Sequence, residues 1–431
     1  MWANLNINKL NNLSKLESWI KKSWAMLLAV ASLLIFIVFI FLPSSNNITY
    51  GFAAYYTASH LVLEHQGGSI FYDDRAFQVK VESLTDGQAI DIYWANPPTT
   101  ALMFLPLASL SINTARYLWA GISLISLFLA VTLLGFVIFK TPFQSKAFSV
   151  ATAILFLSAP LTANFRYGQA YVVLLVFYAL VLFALSSGHD WLAGLCLALV
   201  LALKGSGLPL LVLLIIRGRW RIIACALPVF AGLVLISIHL VGLPTWRIYL
   251  LNVIPNFLAD PVIAVTAYQT VPGFIRHLFT YDDIWNPSPL TNWPTFAKLF
   301  NLFVAFILVG IAGIRSKQTT LEWTFAVGLL LSVILVPAAE QHHYILLFPA
   351  FLLAVRSPRI PRVLLYFATA LIVLPLAYTY KSLSSGWWAL MAYPRLYGAI
   401  ILFAILHFDQ KDSEPSLFDE ATNVDAFSSA Q

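Results

Sequence analysis

A single lysine, Lys204, lies in an otherwise apolar stretch between Trp191 and Ile216, directly before the sequence Gly205-Ser206-Gly207. A charged residue inside a membrane segment is costly, and such residues usually serve a function. An ammonium group at this depth suits the binding of an anion, because charge-assisted contacts are stronger where water is sparse. The alternative is that the four-carbon stem of Lys204 carries its ammonium group out to the lipid headgroups.

Further polar side chains lie between apolar runs elsewhere in the chain. They are Arg166, Gln169, Arg276, Glu340, His342 and His343. If the chain brings its cations together with Lys204, they could bind a phosphate, which is the common anion at a membrane surface. Simpler interpretations stay open: Arg166 could anchor at headgroups, and either histidine could cap a helix that starts at Tyr344.

The composition determines which elements position these side chains. Of 431 residues, 60% are hydrophobic and only 10% are charged, which excludes a soluble globular protein. The net charge of +6 comes from basic residues that flank apolar runs, where they set topology rather than bind nucleic acid. No phosphate-binding loop or dinucleotide-binding motif is present, and the two cysteines form no disulfide framework or metal motif.

The apolar runs predict an all-α polytopic membrane protein, a bundle of about 10–12 transmembrane or half-membrane helices. Residues 1–23 are expected to form a cytoplasmic amphipathic segment, because lysines precede the first span. Residues 24–406 form the transmembrane domain, with outer loops at 43–98 and 242–295 that carry short interfacial helices. Residues 407–431 are polar and acidic, which predicts a disordered cytoplasmic tail.

Two of these segments carry more specific expectations. A short helix over Tyr55–Glu64 is expected to lie on the membrane surface, and Ala147–Ala163 is expected to cross the membrane as one span.

The stretch around Lys204 could either cross the membrane once or enter and return. Residues 191–203 amount to about 20 Å of helix, whereas the hydrocarbon core is about 30 Å thick. A single crossing would place the basic clusters at 217–221, 315–317 and 356–362 outside, against the positive-inside rule. A re-entrant pair of half-helices places all three inside, and we therefore expect this arrangement. Lys204 then lies in the outer leaflet, at the floor of a depression that opens outward.

This topology collects both long loops and all the candidate side chains at the outer face. The inner side keeps short basic connections and the two tails. Secondary transporters more often show paired half-helices in two corresponding repeats, and no repeat is visible here. The asymmetry therefore favours catalysis at the outer face over passage through the membrane.

An ordered series of short motifs resembles glycosyltransferase family 87, the polyprenol-phosphate-sugar-dependent mannosyltransferase-like enzymes of the GT-C superfamily. The series covers about residues 45–355. It consists of the sequences at 52–56, 71–73, 93–98, 105–107, 167–169, 193–195 with Lys204, 219–221, 268–269 and 342–343.

The resemblance implies an inverting transfer of a mannose or another hexose or pentose from a polyprenyl-phosphate carrier to a lipid or glycan acceptor. The reaction would take place at the extracytoplasmic face of the cell membrane, without nucleic acid and without a cofactor, a metal requirement being open. The matching positions Lys204, Gln169, His342 and His343 suggest a donor phosphate site, and the cations Arg166 and Arg276 are added to it because we expect them at the same face. The matching positions Tyr55, Tyr56, Tyr268 and Gln269 suggest substrate contacts, to which Glu340 is added for the same reason.

One position departs from the family pattern. The family carries an aspartate, the expected catalytic base, directly before the Phe52–Tyr56 motif, where this chain has Gly51. Glycine cannot accept a proton, so another loop carboxylate, Asp73, Asp74 or Asp91, would have to serve as base. Otherwise the chain is a non-catalytic binder or transporter of lipid-linked saccharides. Asp73 also has a structural interpretation, because an aspartate at a turn often bonds to its own backbone.

Overall fold

The structure, a computed structural model, describes residues 23–376 and 383–408, and these residues form helices and no β-sheet. The expected amphipathic segment before residue 23 and the tail after residue 408 lie outside the described residues. The first ten helices are α1 (Ser23–Ser45), α2 (Phe52–Leu63), α3 (Asp74–Thr85), α4 (Thr100–Ala108), α5 (Ile112–Phe139), α6 (Lys146–Phe156), α7 (Ala159–Arg166), α8 (Tyr171–Ser186), α9 (Asp190–Lys204) and α10 (Leu208–Ile216). The others are α11 (Trp220–Val241), α12 (243–259, with a π-helical centre), α13 (Val271–Phe279), α14 (Pro294–Ser316), α15 (Leu321–Ile334), α16 (Phe348–Arg356), α17 (Arg362–Val373) and α18 (Pro394–Phe408).

Four described helices, α1, α5, α11 and α14, are long and apolar enough to cross a membrane. The all-α polytopic membrane fold expected from the apolar runs is therefore confirmed. The span expected over Ala147–Ala163 is broken, because α6 and α7 meet at a bend of 47°. Ser158 starts the second helix by accepting a hydrogen bond from the backbone N–H of Leu161, and Pro160 in the first turn cannot donate to α6.

The stretch around Lys204 reverses direction, as a re-entrant pair of half-helices requires. Asp190 at the start of α9 forms an ion pair with Arg219, the residue before α11. Gly194 near the start of α9 packs against Ile222 near the start of α11. The two helices therefore run parallel and begin on the same side of the bundle, so that the intervening chain has to rise and come back.

Helix α10 makes the return. Leu210, near its start, packs on Gly328 in the middle of α15, whereas Arg217, just after its end, donates to the backbone carbonyls of Ser316 and Thr319 before α15. The turn between α9 and α10 passes through Gly205 at φ +60° and Gly207 at φ +91°, left-handed conformations that favour glycine. Lys204 consequently lies at the turn of this pair of half-helices, at the end farthest from the side where α9 starts.

All three basic clusters lie on the side where α9 starts. Arg217 contacts the turn at 316–320, as described above. The indole of Trp323, which follows that turn, donates to the carbonyl of Leu406 at the end of α18. Helix α17 runs antiparallel to α18, since Gly398 packs on Ala368 and Arg395 donates to the carbonyl of Leu374. The beginning of α17, with its cluster at 356–362, thus joins the other two clusters.

The segment at 43–98, for which we keep the name first outer loop from the sequence prediction, is folded into the protein. Helix α2 replaces the predicted surface helix over Tyr55–Glu64, and ten of its twelve residues are buried. Most of them form a hydrophobic core with residues of α3, α4 and α5, separate from the larger core of the helix bundle. Buried Arg116 of α5 ties the loop down by donating to the carbonyls of Ser44, Asn47 and Phe165. The first outer loop is therefore a fixed part of the fold rather than a mobile segment over the cavity.

Candidate active site

A cavity of about 1230 Å³ lies between the re-entrant turn and the outer loops. Most of the residues predicted to act on a substrate line it: Tyr55, Asp74, Asp91, Gln169, Lys204, Tyr268, Glu340, His342 and His343. They come from segments that are far apart in sequence. A cavity of this size that collects charged and aromatic side chains is the default position for a substrate site.

Lys204 is held at the cavity by the loop at 93–100. Its Nζ donates to Asn96 Oδ1 over 2.7 Å. The hydroxyls of Thr99 and Thr100 donate to the carbonyls of Ala202 and Leu203, which the end of α9 leaves without helical partners. The end of α9 is thereby fixed independently of the ammonium group. The ammonium points to Asn96 rather than outward, which argues against the headgroup interpretation of Lys204.

Aromatic rings surround the ammonium group. Nζ of Lys204 lies 4.4 Å from the centre of the Tyr55 ring and 5.5 Å from that of Tyr171. The Tyr55 hydroxyl donates to Gln169 Oε1 over 2.7 Å, so the predicted glutamine positions one of these rings. Two rings and one amide oxygen stabilise the cation without neutralising it. These three contacts are all with neutral groups, so an anion in the cavity can still pair with the ammonium group.

The two histidines form a stack beside this group. Their ring centres are 4.5 Å apart, and His343 Nε2 lies 2.6 Å from the Tyr171 hydroxyl. Nδ1 of His342 lies 3.8 Å from Glu340 Oε2, whereas its backbone carbonyl accepts from the side chain of Asn164. The histidines thus do more than start a helix, because one is connected through Tyr171 to the environment of Lys204.

Asp91 brings a carboxylate to the same cavity. Its Oδ2 accepts from the backbone N–H groups of Gly51 over 2.5 Å and Ala54 over 2.9 Å, at the beginning of α2. Its Oδ1 accepts from the N–H of Ile92. Two oxygens offer about four acceptor positions, so at least one remains for a ligand. Burial raises the pKa of Asp91 to about 6, while these N–H groups and the ammonium of Lys204 oppose the shift.

Comparison with known proteins adds what the geometry alone does not decide. A sequence model described as glycosyltransferase family 87 matches residues 94–337, more than half of the chain. The chain belongs to glycosyltransferase family 87. The matched region includes Asn96, Gln169 and Lys204, whereas Asp91 and α2 precede it.

Two curated relatives of the family 87 chain are similar over about three fifths of its length. Both are described as polyprenol-phosphate-mannose-dependent alpha-(1-2)-phosphatidylinositol pentamannoside mannosyltransferases. The one from Mycolicibacterium smegmatis is 26% identical over 266 residues, 61% of each chain. The one from Mycobacterium tuberculosis is 26% identical over 264 residues, 61% of this chain and 58% of its own. No solved structure matches the chain significantly.

The structure shows how this family 87 chain accommodates Gly51, at the position where the resemblance implies an aspartate. Gly51 has φ +88°, and a Cβ atom there would lie 2.3 Å from Gln169 Nε2 and 2.7 Å from the carbonyl of Tyr167. No side chain of its own caps α2, and Asp91 supplies the missing acceptor from 40 residues away. A carboxylate is therefore present at the start of α2, although a different residue provides it.

Five of the residues predicted for the family 87 site do not line the cavity. They are Asp73, Arg166, Arg276, Tyr56 and Gln269. Asp73 caps α3 by accepting from the N–H of Ala76, and Arg166 is exposed. The Tyr56 hydroxyl donates to the carbonyl of Leu110.

The other two of these residues hold backbone in place. The guanidinium of Arg276 donates to the carbonyls of Leu258 and Asp260. Gln269 is buried, and its side chain donates to the carbonyls of Thr266 and Ala392. Their contacts give both residues a structural role in shaping the second outer loop.

Among the lining residues that were not predicted, three belong to the loops around the site, namely Asn96, Trp94 and Asp260. Asn96 lay within one of the quoted family motifs and was given no role, although it is the direct partner of Lys204. Trp94 belongs to the same motif and has φ +45°, an uncommon conformation for a bulky residue. Asp260 lies in the second outer loop, where no sequence motif marks it. Only the first two carried a signal that could have identified them.

Proposed function

We propose that this protein is a membrane glycosyltransferase that moves a sugar from a polyprenyl-phosphate donor to a hydroxyl group of an acceptor. The observation that carries the proposal is that one carboxylate, Asp91, and one ammonium group, Lys204, line the same cavity in a family 87 chain. A transfer of this kind needs a base for the acceptor hydroxyl and a cation for the phosphate that leaves.

The reaction can be written with these two residues. Asp91 takes the proton of the acceptor hydroxyl, and the acceptor oxygen forms a bond to C1 of the sugar. The bond between C1 and the phosphate oxygen breaks, and both of its electrons stay with the polyprenyl phosphate. Lys204 stabilises the negative charge that develops on this leaving group. Gln169 positions the Tyr55 ring, and His343 positions the Tyr171 ring, beside the ammonium group of Lys204.

The descriptions of the two relatives suggest the substrates. Both describe a polyprenol-phosphate-mannose donor and a phosphatidylinositol pentamannoside acceptor. We propose mannose, or another hexose or pentose, as the transferred sugar and a lipid or glycan as the acceptor. Part of the cavity wall is apolar, with Phe230, Val234 and Ile238 at intervals of four residues on α11, and suits a prenyl chain.

The charges support an orientation in the cell membrane. The three basic clusters lie on the side opposite to the cavity, and basic residues are retained preferentially in the cytoplasm. We therefore propose that the cavity opens extracytoplasmically and that both termini are cytoplasmic.

The function is tested with purified protein, polyprenyl-phosphate mannose labelled in the sugar, and a crude lipid and glycan acceptor fraction. Label is expected to move to the acceptor only with protein present. Donor that is bound and protected without transfer would show a non-catalytic binder instead. Asp91→Asn provides the inactive control, because it keeps the shape of the side chain.

The orientation is tested by introducing single cysteines into a chain carrying Cys196→Ala and Cys225→Ala. An impermeant thiol reagent added to intact cells is expected to label Gln88→Cys and Asp283→Cys, both exposed near the cavity side. Ser187→Cys and Gln318→Cys, exposed beside the basic clusters, should react only after permeabilisation. The reverse pattern would place the cavity in the cytoplasm and contradict the proposed donor orientation.

A further inference from the structure

The cavity has a second group of lining residues that the reaction described above does not use. They are Asp74 and Trp94 from the first outer loop, and Arg247, Asp260, Tyr268 and Trp285 from the second. The rings of Trp94 and Tyr268 are stacked, with centres 5.8 Å apart and an angle of 26° between their planes. The ring of Phe257 is almost perpendicular to the indole of Trp94, with an angle of 88° and a centre distance of 4.9 Å. This contact holds the indole in position.

Two carboxylates, Asp74 and Asp260, line the same cavity as this aromatic pair. Partial desolvation at the cavity raises the pKa of Asp74, and the negative charges of Asp73 and Asp260 raise it further. Asp260 Oδ1 accepts from the N–H of Val262, and Arg276 fixes the backbone of this turn through the Asp260 carbonyl. The Asp260 carboxylate is therefore held in place and keeps acceptor positions for a ligand.

We propose that Trp94, Tyr268, Asp74 and Asp260 form a subsite for the saccharide part of the acceptor. This inference rests on the proposed function and adds the chemical class that its acceptor presents to the enzyme. The faces of pyranose rings carry C–H groups that pack on aromatic rings, and their hydroxyls donate to carboxylates in charge-assisted hydrogen bonds. With two carboxylates and one guanidinium, from Arg247, this group suits a neutral, hydroxyl-rich ligand better than a phosphate.

The subsite lies on the same loop as the groups that are proposed to carry out the reaction. Trp94 follows the base Asp91 by three residues in one loop, and Asn96 of that loop holds Lys204. A saccharide on Trp94 would thus be carried by the same loop that contains the base and contacts the cation. The subsite consists of residues from the two outer loops, which suits the water-exposed part of an acceptor. The apolar wall on α11 is left for lipid.

The test compares Asp74→Asn, Asp260→Asn and the double variant with the parent. An asparagine at 260 can still accept from Val262, and Asp74 is exposed, so the fold should be retained. Each single change is expected to raise the KM for the acceptor about tenfold, because a charge-assisted hydrogen bond becomes a neutral one. The donor KM and kcat should stay within about twofold. Glu82→Gln removes the same charge from the exposed face of α3 and should change neither KM.

A second measurement does not depend on turnover. Mannotetraose is titrated calorimetrically into the purified protein without donor, and binding is expected in the parent and in Glu82→Gln but not in the double variant. Equal binding in the double variant, or a rise in donor KM instead of acceptor KM, would overturn the subsite. A parent that binds mannotetraose through Asp74 and Asp260 but transfers no sugar would refute the proposed function while supporting the saccharide site.

Discussion

Replacing Lys204 with methionine is expected to lower the rate of sugar transfer by about 10²–10³-fold, the loss typical when one stabiliser of transition-state charge is removed. Methionine retains the apolar bulk of the stem and suits the surrounding membrane depth better than an ammonium group does. The end of α9 should stay in place, because Thr99 and Thr100 hold its carbonyls without involving Nζ. The rate should therefore fall in a protein that inserts and folds normally.

Lys204→Arg separates a phosphate site from a simple requirement for positive charge. The ammonium fits between Asn96 Oδ1 at 2.7 Å and the Tyr55 ring at 4.4 Å, and a planar guanidinium needs more room. We expect arginine to restore only part of the lost rate. If Lys204 served instead to anchor the chain at headgroups, arginine would restore everything and methionine would reduce expression rather than turnover. A well-folded methionine variant with parental turnover would exclude the phosphate role.

The reversal of the chain at Lys204 was predictable because it follows from rules that act on short segments. Apolar length and the positions of basic residues were enough to choose the re-entrant pair around Lys204 over a single crossing. The ion pair between Asp190 and Arg219 shows the same arrangement in the structure. The break between α6 and α7 was missed, although Ser158 and Pro160 together are a local signal for a new helix start.

The partners in the site were not predictable from spacing. Asn96 and Lys204 are 108 residues apart, and Asp91 reaches Gly51 over 40 residues, so both contacts exist only through the packing of the outer loop on α5 and α9. Arg276 appeared functional as a cation in an outer loop, and Gln269 as part of a motif of the family. Their side chains donate instead to backbone carbonyls of irregular segments. The path of such segments cannot be predicted from sequence periodicity.

The three loop carboxylates also differ in whether their contacts are local in sequence or depend on tertiary structure. In sequence, Asp73, Asp74 and Asp91 were equal candidates for the base. The contact of Asp73 with the N–H of Ala76 is a local helix cap, which its position before α3 could have indicated. The geometry of Asp74 and Asp91 depends on residues of distant segments, Asp260 for one and Gly51 for the other. Only tertiary structure could give them different proposed roles.

Asp91→Asn is expected to reduce transfer by about 10²–10⁴-fold, the usual contribution of a general base. The change distinguishes catalysis from helix capping. Asparagine Oδ1 can still accept from the N–H groups of Gly51 and Ala54, so α2 keeps its acceptor, but an amide cannot take the proton of a hydroxyl. Asp73→Asn is the matched control, because it removes the same charge from a cap outside the cavity. A comparable loss in that variant would favour Asp73 as the base.

The pH dependence gives the same assignment a second test. The pKa of Asp91 is about 6, raised mainly by burial, and Lys204, Glu340 and Tyr55 are the ionisable groups that face it. A base must be deprotonated to act, so the transfer rate should be low below pH 6 and rise with pH through this value. The residual activity of Asp91→Asn should lack the rise near pH 6. If the variant retained it, another group would be titrating, and Glu340, whose pKa the charge of Asp91 raises, would be the next carboxylate to examine. Asp91 would then keep only its contact with the start of α2.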